Sequence, residues 1–347
     1  MTQYEVSPTV TLQDVAARAG VSVSTASRVI NGSNRQVRPE LTERVREAAR
    51  ELNYFPNVQA QAMARGHSNV LGLIVADIAD PYFSSIAASL ILAAEEHKLI
   101  VNISCTLHKP ERESEYVAAL RGQRARAAVL VGSRSANRQL TSRLTDELTS
   151  FEAANGRVVL ISQARLPFDT VVVENTAGGS DLGETLCELG YRRFAVLAGP
   201  ADLLTSRERI AGFRQGVGTY GVEINDQDIF RGAFTRDGGY AAATDFLDSG
   251  RTAECIFAVN DVMALGAISA LRDRGLTVPG DIAVAGFDDI LPLQDTEPRL
   301  TTVRLPLQEL GSAALDMVMS PRQGHARLRR YCGEVVIRGS TPARSSP

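Results

Sequence analysis

The chain lacks the features of membrane, secreted and disulfide-stabilised proteins. No stretch approaches the ~18 consecutive apolar residues that a membrane-spanning helix needs. The first residues have neither a basic start nor an apolar core, so we expect no secretion signal and a cytoplasmic location. The four cysteines lie far apart without a CxxC pair, which predicts small buried hydrophobic side chains in a reducing compartment. No membrane partner is therefore expected.

Motifs of the common enzyme classes are also missing. No Walker A sequence, GxSxG elbow or HExxH motif occurs, and the four histidines are scattered without metal-ligand spacing. Residues 216–221 match GxGxxG, but they follow a helical pattern instead of a strand, so we interpret the match as chance. We expect no catalytic residue, no metal and no cofactor, and therefore no enzyme.

The charge of the chain is divided unevenly along its 347 residues, a length that fits two or three domains. The net charge of −3 at first argues against a nucleic-acid partner. Residues 1–66, however, contain eight arginines and six acids, a net of +2, which leaves −5 for the remainder. A slightly basic head on an acidic body fits a DNA-binding module beside a larger domain, although +2 alone also fits chance asymmetry.

The head has the pattern of a helix-turn-helix. Thr11 and Asp14 fit the capped start of a first helix, whose apolar residues recur at helical spacing up to Gly20. Ser22 can cap a second helix, and a third begins at Pro39. The second helix carries hydroxylated side chains and an arginine, which can donate to phosphates and to a guanine edge in the major groove. The alternative is a three-helix bundle without a role in DNA binding.

Residues 10–32 closely resemble the N-terminal signature of the LacI/GalR family of bacterial transcription regulators. They read VTLQDVAARAGVSVSTASRVING, and residues 37–56 match the next segment of the family's headpiece. The resemblance continues almost to the C-terminus. It implies a homodimeric repressor of double-stranded, pseudo-palindromic operator DNA, with a hinge helix and an effector domain that is similar to sugar-binding proteins.

The resemblance assigns DNA contacts to the second helix and to the hinge. Val23, Ser24 and Arg28 occupy the positions that vary base readout in the family, and neighbouring polar groups would hold phosphates. The hinge is too short to be a stable helix alone, and Met63 stands where the family usually has a leucine wedge. Without the resemblance, this segment could be a plain linker. The predicted DNA-binding residues are Thr11, Ser22, Val23, Ser24, Thr25, Ser27, Arg28, Asn31, Asn57, Ala60 and Met63.

From Val70 onward, about eight short apolar runs alternate with helical patterns, which predicts parallel strands covered on both faces. The expected fold is an N-terminal all-α helix-turn-helix headpiece plus a two-lobed α/β domain with doubly wound parallel sheets, similar to type I periplasmic binding proteins. The expected boundaries are a headpiece over 1–56, a hinge over 57–67 and an effector-binding and dimerisation domain over 68–345. Within that domain we expect lobe one at about 68–172 and 304–330, and lobe two at about 173–303 and 331–345.

Loops after the strands should hold a ligand, because parallel sheets bind at the carboxyl ends of their strands. By the family pattern, Arg207 and Asp288 bracket adjacent hydroxyls of a sugar while an aromatic ring covers its apolar face. Arg207 could instead be a surface ion-pair partner, Arg209 is either a second contact or structural, and Tyr82 and Phe83 could be core. The predicted effector-binding residues are Tyr82, Phe83, Ser133, Ser162, Thr205, Arg207, Asn260, Asp261 and Asp288.

Three positions depart from the sugar-binding pattern of the family. Ser162 and Gln163 stand where an Asp-Arg pair is common, and Leu305 stands where glutamine is frequent, so a less polar pocket is expected. We therefore expect a sugar first and a nucleoside or purine second. A periplasmic-type solute-binding protein for a sugar transporter is the alternative function, against which the 66-residue head argues.

Overall fold

The computed structural model describes residues 10–31, 37–55 and 67–344. Contacts divide the chain into two units, Met1–Asn69 and Val70–Pro347. The predicted headpiece, hinge and lobe boundaries stay a prediction. No helix in the described ranges is long and apolar enough to cross a membrane.

The first unit contains helices α1 (Leu12–Ala19), α2 (Val23–Asn31) and α3 (Pro39–Glu51). Asp14 accepts from the Thr11 amide at 2.8 Å, and this capping box starts α1 as predicted. Gly20 ends α1 with φ +63°, a conformation that favours glycine. The Arg44 guanidinium then donates to the Ala19 carbonyl at 2.5 Å, which ties α3 to the turn. The core of this unit consists of small apolar side chains: Val15, Ala16, Ala19, Ala26, Val45 and Ala48.

Lobe one of the second unit is a six-stranded parallel sheet in the order β11-β5-β4-β3-β1-β2. Its strands are β1 (Val70–Val75), β2 (Ile100–Cys105), β3 (Ala127–Val131), β4 (Arg157–Ile161), β5 (Asp169–Val173) and β11 (Leu328–Tyr331). Its helices are α4 (Pro81–Glu96), α5 (Glu111–Gly122), α6 (Arg138–Ala153) and α11 (Leu307–Met319). Every residue of β3 is buried, as expected for a central strand covered on both faces.

Lobe two is a four-stranded parallel sheet in the order β7-β6-β8-β9. Its strands are β6 (Phe194–Ala198), β7 (Ile229–Arg231), β8 (Cys255–Ala258) and β9 (Ala283–Ala285). Its helices are α7 (Asn175–Glu188), α8 (Leu204–Gly218), α9 (Arg236–Asp248) and α10 (Asp261–Asp273). Helices α7 and α8 pack closely because Gly179 and Gly183 of α7 face the α8 backbone, while Gly212 and Gly216 face the α7 backbone.

Three chain segments connect the lobes. The first joins the end of β5 to the start of α7. The second contains β10 (Thr302–Arg304), and the third contains β12 (Glu334–Val336). Strands β10 and β12 pair antiparallel, with Val303 opposite Val335. The sheets and their crossings confirm the predicted fold class.

The cysteine expectation is only partly correct. Cys187 and Cys255 are buried and all four thiols are free, but Cys332 is exposed and Cys105 is half-buried. Cys332 lies in the short connection between β11 and β12. Its exposure therefore follows from its place in a connecting loop.

Candidate functional site

The predicted DNA-binding residues of the headpiece lie on α2 and at the start of α1. Val23, Ser24 and Arg28 are exposed, and Arg28 forms no ion pair with a residue in the described ranges. The Ser22 hydroxyl lies 2.9 Å from that of Ser24 and 2.8 Å from that of Thr25. This hydroxyl cluster caps α2 and leaves the arginine accessible at the helix surface.

The remaining predicted DNA contacts differ in what the structure describes. Thr11 donates its hydroxyl to Asp14 at 2.7 Å, so it acts first as a helix cap. Asn31 donates to the Ser27 hydroxyl at 3.0 Å. The hinge residues Asn57, Ala60 and Met63 lie outside the described residues.

A cavity of about 390 Å³, the main cavity, lies between the lobes at the carboxyl ends of both sheets. Val131, Ile161 and Val173, the last residues of β3, β4 and β5, form its apolar floor on the side of lobe one. Seven of the predicted effector residues line it: Tyr82, Phe83, Ser133, Ser162, Thr205, Asn260 and Asp288. Phe234, which sequence reasoning did not single out, adds an aromatic wall from lobe two.

Asp288 pairs with a buried arginine in this cavity. The Arg209 Nη2 donates to Asp288 Oδ1 at 2.7 Å, and both side chains are buried. Arg209 also donates from Nε to Asn175 at 2.9 Å and from Nη1 to the Val259 carbonyl at 2.7 Å. Its guanidinium lies 3.8 Å from the centroid of the Phe287 ring. Every nitrogen of the Arg209 guanidinium is thus engaged by the protein, whereas Asp288 Oδ2 accepts from no described residue.

The backbone and the electrostatics of Asp288 are both unusual. Its φ is +122°, a strained value for a residue with a side chain, and such strain concentrates at functional sites. Burial raises the pKa of Asp288 to about 8, and the charge of Arg209 opposes that rise. Burial also raises the pKa of the nearby Asp80 carboxyl. The main cavity therefore contains two carboxyl groups, Asp80 and Asp288, whose ionised forms are destabilised by burial.

Two predicted effector residues do not line the main cavity, so the sequence expectation is corrected there. Arg207 lies two residues before Arg209 on α8, which rotates its side chain to the opposite, exposed side of the helix. Asp261 is fully buried and accepts from Thr302 Oγ1 at 2.7 Å and from the Ile290 amide at 3.0 Å. Burial raises the pKa of Asp261 to about 6. Asp261 therefore anchors β10 and the loop after β9, and it does not line the main cavity.

Several of the polar groups predicted to bind the effector are occupied by protein. Ser162 donates to the Gly132 carbonyl at 2.6 Å and accepts from Arg134 at 3.0 Å. Ser133 accepts from the Thr205 amide at 2.9 Å. Asn260 caps α10 through Oδ1, which accepts from the Met263 amide at 2.9 Å, and its Nδ2 donates to no described residue. The Tyr82 hydroxyl likewise has no protein partner in the described ranges.

A row of hydrogen bonds joins the lobes beside the main cavity. Gln163 donates from Nε2 to Thr205 at 2.8 Å and to Glu208 at 3.2 Å, and its Oε1 accepts from the Arg134 amide at 2.8 Å. Arg134 is in turn held by a bidentate ion pair with Glu113, at 2.7 and 2.9 Å. Sequence reasoning identified Gln163 only as a departure from a family pair and did not predict this connection between lobes.

These features define a two-lobed small-molecule-binding domain attached to a helix-turn-helix module, and comparisons with known proteins agree. Residues 11–57 match the family described as bacterial regulatory proteins, lacI family, and residues 184–341 match the periplasmic binding protein-like domain. The regulator DegA of Bacillus subtilis is 31% identical over 336 residues, covering 95% of this chain and 98% of that protein. The repressor CytR of Escherichia coli is 32% identical over 339 residues, covering 96% of each.

Solved structures show the same architecture. The Lac repressor dimer bound to operator and the anti-inducer ONPF has a TM-score of 0.81 and 28% identity, covering 96% of this chain and 99% of that one. The regulator CelR in complex with cellobiose has a TM-score of 0.68 and 29% identity, covering 95% and 99%. The chain belongs to the LacI family of bacterial transcription regulators, which bind DNA and are not enzymes.

Proposed function

We propose that the protein is a homodimeric, cytoplasmic repressor whose operator affinity is set by an uncharged, hydroxyl-bearing molecule in the main cavity. The observation that carries the ligand class is that each guanidinium nitrogen of Arg209 already donates to the protein, namely to Asp288, Asn175 and the Val259 carbonyl. Among the described residues no other arginine lines this cavity, whereas the carboxyl groups of Asp80, Glu113, Asp202 and Asp288 do. An anionic effector would therefore meet no guanidinium nitrogen that is free of the protein, whereas Asp288 Oδ2 can exchange a hydrogen bond with a hydroxyl group whether the carboxyl is ionised or protonated.

A sugar fits the main cavity best, and a nucleoside is the second candidate. Asp288 Oδ2 and Asn260 Nδ2 offer an acceptor and a donor for neighbouring hydroxyls, and CelR, a relative, has been solved with cellobiose. The nucleoside is favoured by the aromatic side chains of Phe83 and Phe234, and by the engagement of the Ser133 and Ser162 hydroxyls within the protein. Fewer polar positions then remain than a fully hydroxylated ligand would use.

Ligand binding would change operator affinity through the contacts between the two lobes. Gln163, Thr205 and Glu208 join the lobes beside the main cavity, so a ligand that changes the distance between lobes must strain or relax these hydrogen bonds. A change in lobe geometry would thereby alter operator affinity. Effector and operator must then influence each other's affinity by the same factor.

The ligand assignment can be tested by a thermal-shift screen of sugars, nucleosides and purines with the Asn260→Ser variant. Serine keeps an N-cap acceptor for α10 but removes the amide donor from the main cavity. We expect the variant to bind the identified ligand roughly tenfold more weakly, as for the loss of about one good hydrogen bond. Asn137→Ser, at the cap of α6 outside this cavity, is the matched control. Equal ligand affinity in both variants would place the ligand elsewhere.

The DNA-binding role can be tested with Arg28→Ala and an operator selected from random duplexes. We expect the variant to lose about 1–3 kcal/mol of operator binding and to tolerate substitution at one base pair, as for loss of a bidentate guanine contact. Arg46→Ala, an exposed arginine of α3, removes the same charge and serves as control. A loss that is equal on every DNA sequence would make Arg28 a phosphate contact, and no loss would remove it from the interface.

A further inference from the structure

A second cavity of about 570 Å³, the arginine cavity, also has walls from both lobes. Arg138 and Arg165 contribute from lobe one, and Arg207 contributes from lobe two. All three are exposed, and none forms an ion pair with a residue of the described ranges. The exposed side of α8 places Arg207 in this cavity. Arg207 does not line the main cavity.

The charge of the arginine cavity is not balanced by protein carboxylates. Glu208 is the one acidic residue among its described lining residues, and its single charge can balance only one of the three arginines. A fourth lining arginine, Arg134, is neutralised by Glu113 at 2.7 Å. Exposed arginines elsewhere in lobe two do find acids, as in the pairs Arg251–Asp228 at 2.6 Å and Arg274–Asp248 at 2.7 Å.

Backbone dipoles add to the positive potential of this cavity. Arg138 belongs to the first turn of α6, Thr176 to the first turn of α7, and Leu204 and Arg207 to the first turn of α8. The N-terminal end of a helix carries partial positive charge, so three such ends add to the positive potential. Several first-turn amides at these ends are already engaged, because Asn137 accepts from the Gln139 amide at 3.0 Å and Ser133 accepts from the Thr205 amide at 2.9 Å. The arginine side chains, and not the helix amides, would therefore supply the hydrogen bonds to a ligand.

We propose that the arginine cavity binds a small, multiply charged phosphate-bearing metabolite that bridges the two lobes. Guanidinium groups match phosphate oxygens with paired hydrogen bonds, and three of them suit a ligand with more than one negative charge. The main cavity, with its carboxylates and its engaged Arg209, would exclude the same molecule. A bridge between Arg165 of lobe one and Arg207 of lobe two would favour one lobe arrangement over others, because its occupant contacts both. The protein would then sense two ligands of opposite chemistry, which goes beyond the proposed function.

The proposal is tested by calorimetric titration of the full-length protein with inorganic pyrophosphate at constant ionic strength. We expect one pyrophosphate per chain, and a roughly tenfold weaker affinity, or about 1.4 kcal/mol, in each of the variants Arg165→Gln and Arg207→Gln. Arg143→Gln, an exposed and unpaired arginine of α6 outside the cavity, should bind pyrophosphate like the unmodified protein. Asn260→Ser should also leave this affinity unchanged, which separates the proposal from the ligand of the main cavity.

Three results would overturn the proposal. The first is an absence of pyrophosphate binding to the unmodified protein. The second is equal weakening by Arg143→Gln, which would indicate diffuse surface attraction in place of a site. The third is binding of random-sequence duplex DNA that displaces pyrophosphate and depends on the same two arginines, which would assign this surface to nucleic acid.

Discussion

Replacing Arg209 with alanine is expected to lower the free energy of unfolding by about 3–5 kcal/mol at about pH 9, where Asp288 is ionised in the unmodified protein, because it leaves that buried carboxylate without its partner. The loss includes hydrogen bonds to Asn175 and to the Val259 carbonyl, at 2.9 and 2.7 Å. Urea denaturation monitored by circular dichroism measures the difference. Arg207→Ala is the matched control, since that arginine is exposed and unpaired two positions earlier on α8, and it should change stability by less than about 0.5 kcal/mol.

The Arg209→Ala variant should also show a distinctive pH dependence. Burial already raises the pKa of Asp288 to about 8, and removing the arginine raises it further. An acid with a raised folded pKa contributes stability below its unfolded pKa and loses that contribution as pH rises through the folded pKa. The variant should therefore be more severely destabilised at about pH 9 than at about pH 6. Asp288→Asn in the same chain should restore part of the loss at high pH, and no restoration would show that the ion pair is not its cause.

Gly212→Ala is expected to cost about 3 kcal/mol, the upper end for overpacking, because α7 and α8 touch through their backbones. A methyl group at this position would lie well inside van der Waals distance of the Thr176 carbonyl, and Gly216 has the same relation to Ser180. Separating the helices would disturb the hydrogen bonds of Arg209, which lies on α8 one turn earlier. Denaturant midpoints report the effect.

The control for this substitution is Gly218→Ala at the end of the same helix. A methyl group there meets no atom within 4 Å, so the helix propensity of alanine should leave stability unchanged or raise it by up to about 1 kcal/mol. Equal effects of the two substitutions would contradict the close packing of α7 and α8.

The sequence predicted the helices and strands that depend on interactions between residues close together in the chain. The three headpiece helices, with Thr11 and Gly20 as first cap and first stop, need only near-neighbour interactions. The buried strands were visible as continuous apolar runs. Strands β7, β10 and β12 were not predicted from the sequence. Each of them has only three residues, and β7 and β12 are partly exposed. Their existence depends on tertiary pairing that a short segment does not encode.

The sequence predicted which loops form the candidate site, but it did not predict which side chains of those loops face the main cavity. The rule that parallel sheets bind at strand ends selected the loops that carry Asn260 and Asp288. It could not decide between Arg207 and Arg209, since which side of α8 is buried depends on the packing of α7 against it. Nor could it show that Ser133 and Ser162 direct their hydroxyls to protein partners 28 to 72 residues away in sequence.

The return of the chain to lobe two through β12 has a consequence for synthesis on the ribosome. Strand β11 completes the sheet of lobe one, and Ser340 then donates to the Val284 carbonyl at 2.6 Å in lobe two. Both lobes can therefore complete their folds only after the last part of the chain has been synthesised, whereas the third helix of the first unit ends at Glu51. During synthesis, the helix-turn-helix would therefore be able to fold before the ligand-binding unit that regulates it.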